Sequence, residues 1–361
     1  MEPSTASLTT FLDYLKLLVR QPSVVGYEEP FFRLIRRELE EMGIKISLYQ
    51  GLLVAEGSKP TSNYLSAHVD RHGLICTGPN EFQYAAFVTQ NRSELNGNSV
   101  SEQTLEKIAD RFEGQQVHAY EPWSGTYLGQ GTTHHSYISE KRKNLIIEIN
   151  GLEHVTPGVP IAYSDRITIH DGRVSAQLDN VLMVAVVVYL FSQGYQGTAF
   201  FTAQEEAGRS WRYLADWFYR VEQATKKLIV LDTSPFGEDE KEASDSEIIL
   251  RHKDATADFD EKMVAEIAAA SEKLGIKTVY KDIFIEHHNE QRMVDGKKPL
   301  SLGRTELGRI IEGTDGLISG ATIQIPTTGY HTSEETASLQ SIAMAINLLK
   351  EVLKESFEQN K

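Results

Sequence analysis

One cysteine, Cys76, stands in 361 residues, so no internal disulfide can staple this chain. No apolar run is long enough for a membrane span. The longest, "VLMVAVVVYLF" at 181–191, falls short of the roughly 20 residues a bilayer helix needs and reads as a buried core helix. There is no surplus of positive charge either: 36 Lys and Arg against 51 Asp and Glu leave −15, and no basic stripe stands out. Neither a nucleic-acid backbone nor an anionic membrane surface is therefore expected as a partner. The opening "MEPSTASLTT" lacks the basic start and apolar centre of a signal peptide, so a cytoplasmic protein is expected. No internal repeat and no long low-complexity tract is present.

What is present is a long alternation of helix-like and strand-like segments. The length suits one large α/β domain or two domains. "SLTTFLDYLKLLVRQ" places Leu8, Phe11, Leu12, Leu15 and Leu18 on one helical face, with Ser7 as N-cap and Pro22 as its end. "EEPFFRLIRRELEEMG" is a second amphipathic helix, and strands "LLVAEG" and "NYLSAHVD" follow. From 165 onward strands such as "GTAFFTAQ", "KLIVLD", "EIILRH", "TVYKDIFI" and "ATIQIP" alternate with helices, the last being "SLQSIAMAINLLKEVLKES". Strands this apolar indicate an α/β fold with a mostly parallel sheet covered by helices on both faces.

Residues 73–164 differ. They are rich in Gly, Asn, Gln, Ser and Thr, and carry short β-like runs, "QYAAFVTQ" and "NLIIEIN", with one helix candidate, "SEQTLEKIADRF". We read them as an inserted β-rich domain, leaving 1–72 and 165–361 as the main domain. The acidic stretch 237–247 reads as a solvated loop.

In open α/β sheets, ligands collect at the carboxyl ends of the strands. There "NYLSAH" ends at His68, with Asp70 two residues on. "AFFTAQ" ends at the pair Glu205 and Glu206, "KLIVL" at Asp232, and "ATIQIP" leads to a short loop with His331. Asp179 directly precedes the apolar helix. Taken singly, each has an ordinary structural role: a satisfied histidine, a helix cap, a turn residue, a solvated face. Together they form a set of imidazoles and carboxylates suited to divalent metal. Two ions need a shared carboxylate, and a further carboxylate must take the proton from water. His72, His252, His287 and His288 read as structural. His134 and His135, in "GQGTTHHSY", are candidates for a loop over the site.

At "SAHVD", "AQLDN", "FTAQEEAG" and "IPTTGYH" the chain resembles the co-catalytic metallo-aminopeptidases that include glutamyl aminopeptidase and the tetrahedral aminopeptidases. "PSVVGYE" and "IILRHKD" are weaker matches. The ordered set covers nearly the whole chain, and residues 71–178, between Asp70 and Asp179, leave room for the inserted domain. The resemblance implies two divalent ions per chain, zinc first, with cobalt or manganese as alternatives. His68 and Asp232 would bind one, Glu206 and His331 the other, and Asp179 would bridge them. Asp70 would support His68, and Glu205 would be the general base toward a metal-bridging water. The implied activity is removal of the N-terminal residue from peptides with a free N-terminus, by a homo-oligomer whose inserted lobe takes part in association. Two readings stand beside it: a deacylase of N-acyl amino acids with Arg71 or Arg304 as the carboxylate's partner, and a non-catalytic metal-binding assembly protein. The chain departs from the family at "RHG" after Asp70 and at "LGRTELG". Arg71 there is expected to pair with nearby acids and Glu306 to offset Arg304, so no simple preference for acidic residues is expected.

Overall fold

The apolar run becomes α5 (Val181–Ser192), in which every residue from Val181 to Phe191 is buried. A helix apolar on all sides must be covered on all sides. Here α1 (Thr5–Arg20), α2 (Glu29–Glu41) and α10 (Leu339–Val352) pack around it, and it lies against the main sheet. The structure is a computed structural model that describes residues 5–59, 63–91, 100–236 and 247–357.

The main sheet has 11 strands. They are β1 (Lys45–Tyr49), β2 (Leu52–Glu56), β3 (Tyr64–His68), β10 (Thr168–His170), β11 (Arg173–Ala176), β12 (Thr198–Thr202), β13 (Thr225–Pro235), β14 (Glu247–Leu250), β15 (Lys277–Tyr280), β16 (Ile318–Thr328) and β17 (Glu335–Ser338). The order runs β1-β2-β12-β3-β13-β16-β17-β11-β10, and β14 carries β15 beside β16. The centre, β12-β3-β13-β16, is parallel throughout, and antiparallel pairs extend it at both ends. A second group of helices, α6 (Ser210–Arg220) with α9 (Glu306–Gly313), also packs on this sheet. Tyr64 of β3 meets Trp217 and Phe218 of α6 edge-on. Farther along, α7 (Glu261–Lys273) packs on α10 and α8 (Lys281–Val294) follows β15.

The segment rich in small polar residues forms a closed six-stranded barrel, β4-β5-β8-β7-β6-β9. Its strands are β4 (Gly73–Gly78), β5 (Glu81–Tyr84), β6 (Gln116–Tyr120), β7 (Tyr127–Ser139), β8 (Asn144–Asn150) and β9 (Pro160–Tyr163). Closure pairs β9 with β4, which leaves no open edge. The barrel has its own apolar core, including Leu74, Phe82, Val117, Ile147 and Ile161, and α4 (Glu102–Phe112) seals it with Leu105, Ile108 and Phe112. Short helix α3 (Ala85–Thr89) follows β5.

Several segments differ from the sequence reading. "QYAAFVTQ" is half strand and half helix, because β5 stops pairing at Tyr84 and the alanines start α3. "TVYKDIFI" is strand only to Tyr280, where the ladder with β14 ends; its apolar end turns into α8 and buries Ile285. The antiparallel strand β1 has no strong apolar pattern and was not expected. Helix α1 begins at Thr5, so Ser7 lies inside it. Asp232 sits within β13, since pairing with β16 continues to Pro235. Of the acidic stretch, 237–246 lies outside the described residues, and Glu247 is a buried strand residue.

Candidate metal centre

Three adjacent parallel strands bring their carboxyl ends to one edge of the sheet. His68 is the last residue of β3, Glu205 and Glu206 follow β12, and Asp232 lies near the end of β13. Asp179 stands before α5, and the loop between β16 and β17 carries His331. The five expected ligands thus come from five separate segments.

They meet in a double cluster. His68 Nε2 lies 3.3 Å from Asp179 Oδ1 and 3.5 Å from Asp232 Oδ1. His331 Nε2 lies 3.5 Å from Asp179 Oδ2 and 3.6 Å from Glu206 Oε1. The two oxygens of Asp179 therefore face two different histidines, the disposition a bridging carboxylate needs. Two groups of donor atoms are close enough to share an ion each: His68, Asp179 and Asp232, and His72, Glu206 and His331.

The residues fit metal ions on an independent ground. Asp179 Oδ1 and both ring nitrogens of His331 are buried without a hydrogen-bond partner. Leaving such groups buried and unmatched is costly unless something else coordinates them. The charges are also out of balance. Burial, followed by the charge on Asp179, raises the Glu206 carboxyl well above its usual range. Burial raises that of Asp232 as well. Burial acts against ionisation of Asp179 too, but its contacts with His331 and His68 outweigh that and lower it. For His68 burial is likewise outweighed, by Asp179, Asp232 and Asp70, and the imidazole is held well above its usual value. His331 goes down through burial. Divalent cations would stabilise these crowded carboxylates and take the imidazoles in neutral form.

Around the cluster, Asp70 accepts the backbone N–H of Glu205 at 2.9 Å and of Glu206 at 3.0 Å, and its Oδ1 lies 3.6 Å from His68 Nδ1. Its carboxylate therefore holds the paired-glutamate turn, while its backbone carbonyl, 3.2 Å from His68 Nδ1, is the nearer partner of that ring. Glu205 points its carboxylate into the same cavity. Enclosure there raises it, His68 opposes and Asp232 adds, leaving it at about 8.

Sequence reasoning missed three residues. Glu335, the first residue of β17, accepts the N–H of Leu178 at 2.6 Å, of Asp179 at 2.7 Å and of His331 at 2.6 Å. It ties together the two loops that present Asp179 and His331. Glu28 is buried beside Asp70 and accepts the N–H of Gly26 at 2.7 Å. Its place in "PSVVGYE" was the available signal. His72, read as structural, has Nε2 3.0 Å from Glu206 Oε2 and joins the second group. Its position in "HVDRHG", four residues after His68, was the overlooked sign.

Other expectations do not hold. Arg71 is buried away from the cavity, bonded through Nε to Ser23 Oγ at 2.8 Å and also to the Val19 and Gln21 carbonyls. It cannot serve a substrate. Glu306 does not offset Arg304. It is buried beside the sheet, accepting the hydroxyls of Ser66 at 2.5 Å and Thr202 at 2.7 Å. His134 and His135 lie exposed on β7 and belong to neither ligand group. His252, His287 and His288, read as structural, do lie outside both ligand groups: His252 pairs with Asp282 at 3.2 Å, and the other two are on α8.

At this cluster opens a cavity of about 210 Å³. Its walls include Arg251, Lys281, Ile285 and the exposed Arg304. Arg251 is fixed by Gln324 Oε1 at 2.8 Å and the Leu302 carbonyl at 2.7 Å. The cavity thus joins a carboxylate cluster to a cationic wall.

No family model and no curated protein matches the chain. Solved structures do match. A TET aminopeptidase from a marine sediment thaumarchaeon superimposes with a TM-score of 0.71 at 16% identity, covering 96% of each chain. The TET1 peptidase of Pyrococcus horikoshii, described as assembling into a tetrahedron or a large octahedral shell, gives 0.67 at 18%, over 97% of this chain and 100% of that one. A Thermotoga maritima protein described as an endoglucanase gives 0.62 at 14%, over 95% and 99%. The chain therefore has the fold of the tetrahedral aminopeptidases. At such identities the likeness speaks for fold alone, as the endoglucanase description illustrates.

Proposed function

We propose that the chain is a two-metal aminopeptidase, and the observation that carries this is Asp179 set between two ligand groups at the carboxyl edge of the sheet. His68 and Asp232 would hold one divalent ion, Glu206 and His331 the other, and Asp179 both. Mixed nitrogen and oxygen donors suit zinc, with cobalt or manganese as substitutes. Ions so held supply electrophilic stabilisation of the peptide carbonyl and acidify water.

The chain's own residues do the rest. Glu205 belongs to neither ligand group and keeps a carboxylate with raised proton affinity in the cavity. Beside bound cations that favour its ionised form, this carboxylate would take a proton from the attacking water and return it to the leaving amine. Asp70 holds the Glu205–Glu206 turn, so base and ligand keep a fixed relation. The free α-amine of a peptide N-terminus would sit against an ion or a carboxylate of the pocket, which restricts cleavage to the N-terminal residue. The barrel, with the chain from 73 to 164, is proposed as the inserted domain, and a cytoplasmic homo-oligomer as the working form.

The cationic wall also favours a carboxylate-bearing substrate, which keeps the deacylase reading in play through Arg251, Lys281 and Arg304 rather than Arg71. A panel of aminoacyl reporters and N-acyl amino acids, assayed after chelation and after return of zinc, cobalt or manganese, tests the proposal. Hydrolysis of free-amine substrates that is lost and restored with metal is expected. Turnover of N-acyl amino acids alone would replace the aminopeptidase with the deacylase, and no turnover of either would favour the non-catalytic reading.

A further inference from the structure

We propose that His72 is a ligand of the ion held by Glu206 and His331, so that this position carries two imidazoles. The inference rests on the two-metal reading above and concerns what is particular to this chain.

The geometry around His72 is that of an oriented ligand. Its Nε2 faces Glu206 Oε2 at 3.0 Å, and its ring centroid lies 3.7 Å from that of His331. Donor atoms of His72, Glu206 and His331 all lie within 4.8 Å of one another. Its other nitrogen, Nδ1, lies 2.5 Å from the Tyr84 hydroxyl. The Tyr84 ring stacks on it at 5.3 Å and 23°. The Gln177 side chain donates to its carbonyl at 2.8 Å, fixing the backbone. With Nδ1–H donating to the phenol oxygen, the lone pair of Nε2 is left for metal, the arrangement that commonly orients metal-bound imidazole.

Tyr84 lies on β5, so the barrel would hold a partner of the metal centre in place. A second imidazole also shifts the position's preference toward zinc and cobalt and away from manganese and magnesium. The bland alternative is that Nε2–H merely donates to Glu206 while Tyr84 donates to Nδ1.

Zinc K-edge X-ray absorption on the full chain loaded with zinc separates the two without any mutation. Imidazole scattering equal to three rings for two zinc ions is expected; two rings for two ions would overturn the proposal. Chelator-competition titrations add a second readout. His72→Val should weaken one zinc step by about tenfold or more and leave the other unchanged, and Tyr84→Phe should weaken the same step less. Wild-type affinity at both steps in His72→Val also overturns it. At most one zinc per wild-type chain would instead sink the two-metal reading on which it rests.

Discussion

Glu205 and Glu206 are neighbours with different tasks, because the turn after β12 sends one carboxylate toward His331 and leaves the other free in the cavity. Glu205→Gln is nearly isosteric and keeps the Asp70 contact, which is made by the backbone. Metal content should stay at the wild-type level while kcat falls by about 10²–10⁴-fold, the usual worth of a general base. Elemental analysis beside steady-state kinetics checks both halves, and near-normal turnover would mean that another group is the base. Glu28 gives a stability prediction. Burial, and then the charge of Asp70, raises its carboxyl from 4.5 to about 8. The folded chain then holds a proton that the unfolded chain releases, so the metal-free protein should lose stability as pH climbs through that window. Glu28→Gln removes this titration and should flatten the fall of Tm between about pH 5 and pH 8. Equal slopes for the two proteins would show that Glu28 is not the responsible group.

At the scale of elements, the centre depends on how loops are tied to strands. One carboxylate, Glu335 at the start of β17, spans the loop before α5 and the loop after β16. In Glu335→Gln one end of the side chain becomes a donor facing backbone N–H groups. Metal affinity should then fall by about 10–100-fold, as for other outer partners of metal ligands. Zinc competition measurements would read that shift, and an unchanged affinity would limit Glu335 to packing. Glu306 makes a parallel point for α9. Its two hydrogen bonds to β3 and β12 pin the helix to the strands that end in His68 and the glutamate pair.

For the molecule as a whole, net charge and local charge oppose each other. The chain carries −15, which repels acidic substrates at long range and is screened by salt. Inside the cavity, however, Arg251, Lys281 and Arg304 line the wall, and Glu306, which was expected to offset Arg304, lies elsewhere. A glutamyl reporter should therefore exceed a leucyl one in kcat/KM by about tenfold, roughly 1.4 kcal/mol, and its KM should drop as salt is raised. A leucyl preference would mean that these cations do not reach the side chain. The barrel exposes Trp123, Tyr127, Leu128 and Ile138. Sedimentation is expected to show a homo-oligomer at micromolar concentration, and a strict monomer would remove the association. Among the described residues no helix is long and apolar enough to cross a membrane.

The sequence alone determined what local pattern can encode. The all-apolar α5 had to be buried, and apolar strands alternating with helices required a covered parallel core. His68, Asp179, Glu206, Asp232 and His331 were legible as candidate ligands because each reads as a strand end, a helix start or a short loop after a strand, although β13 in fact runs on past Asp232 to Pro235. Tertiary structure decided what depends on which segments become neighbours. It showed that Arg71 and Glu306 are internal braces, although their charge suggested a pocket. It brought Glu335 against two loops that are far apart in sequence, and set His72 between Tyr84 of the barrel and His331 of the sheet. A charged side chain's partner is chosen by the fold, and no local periodicity records that choice.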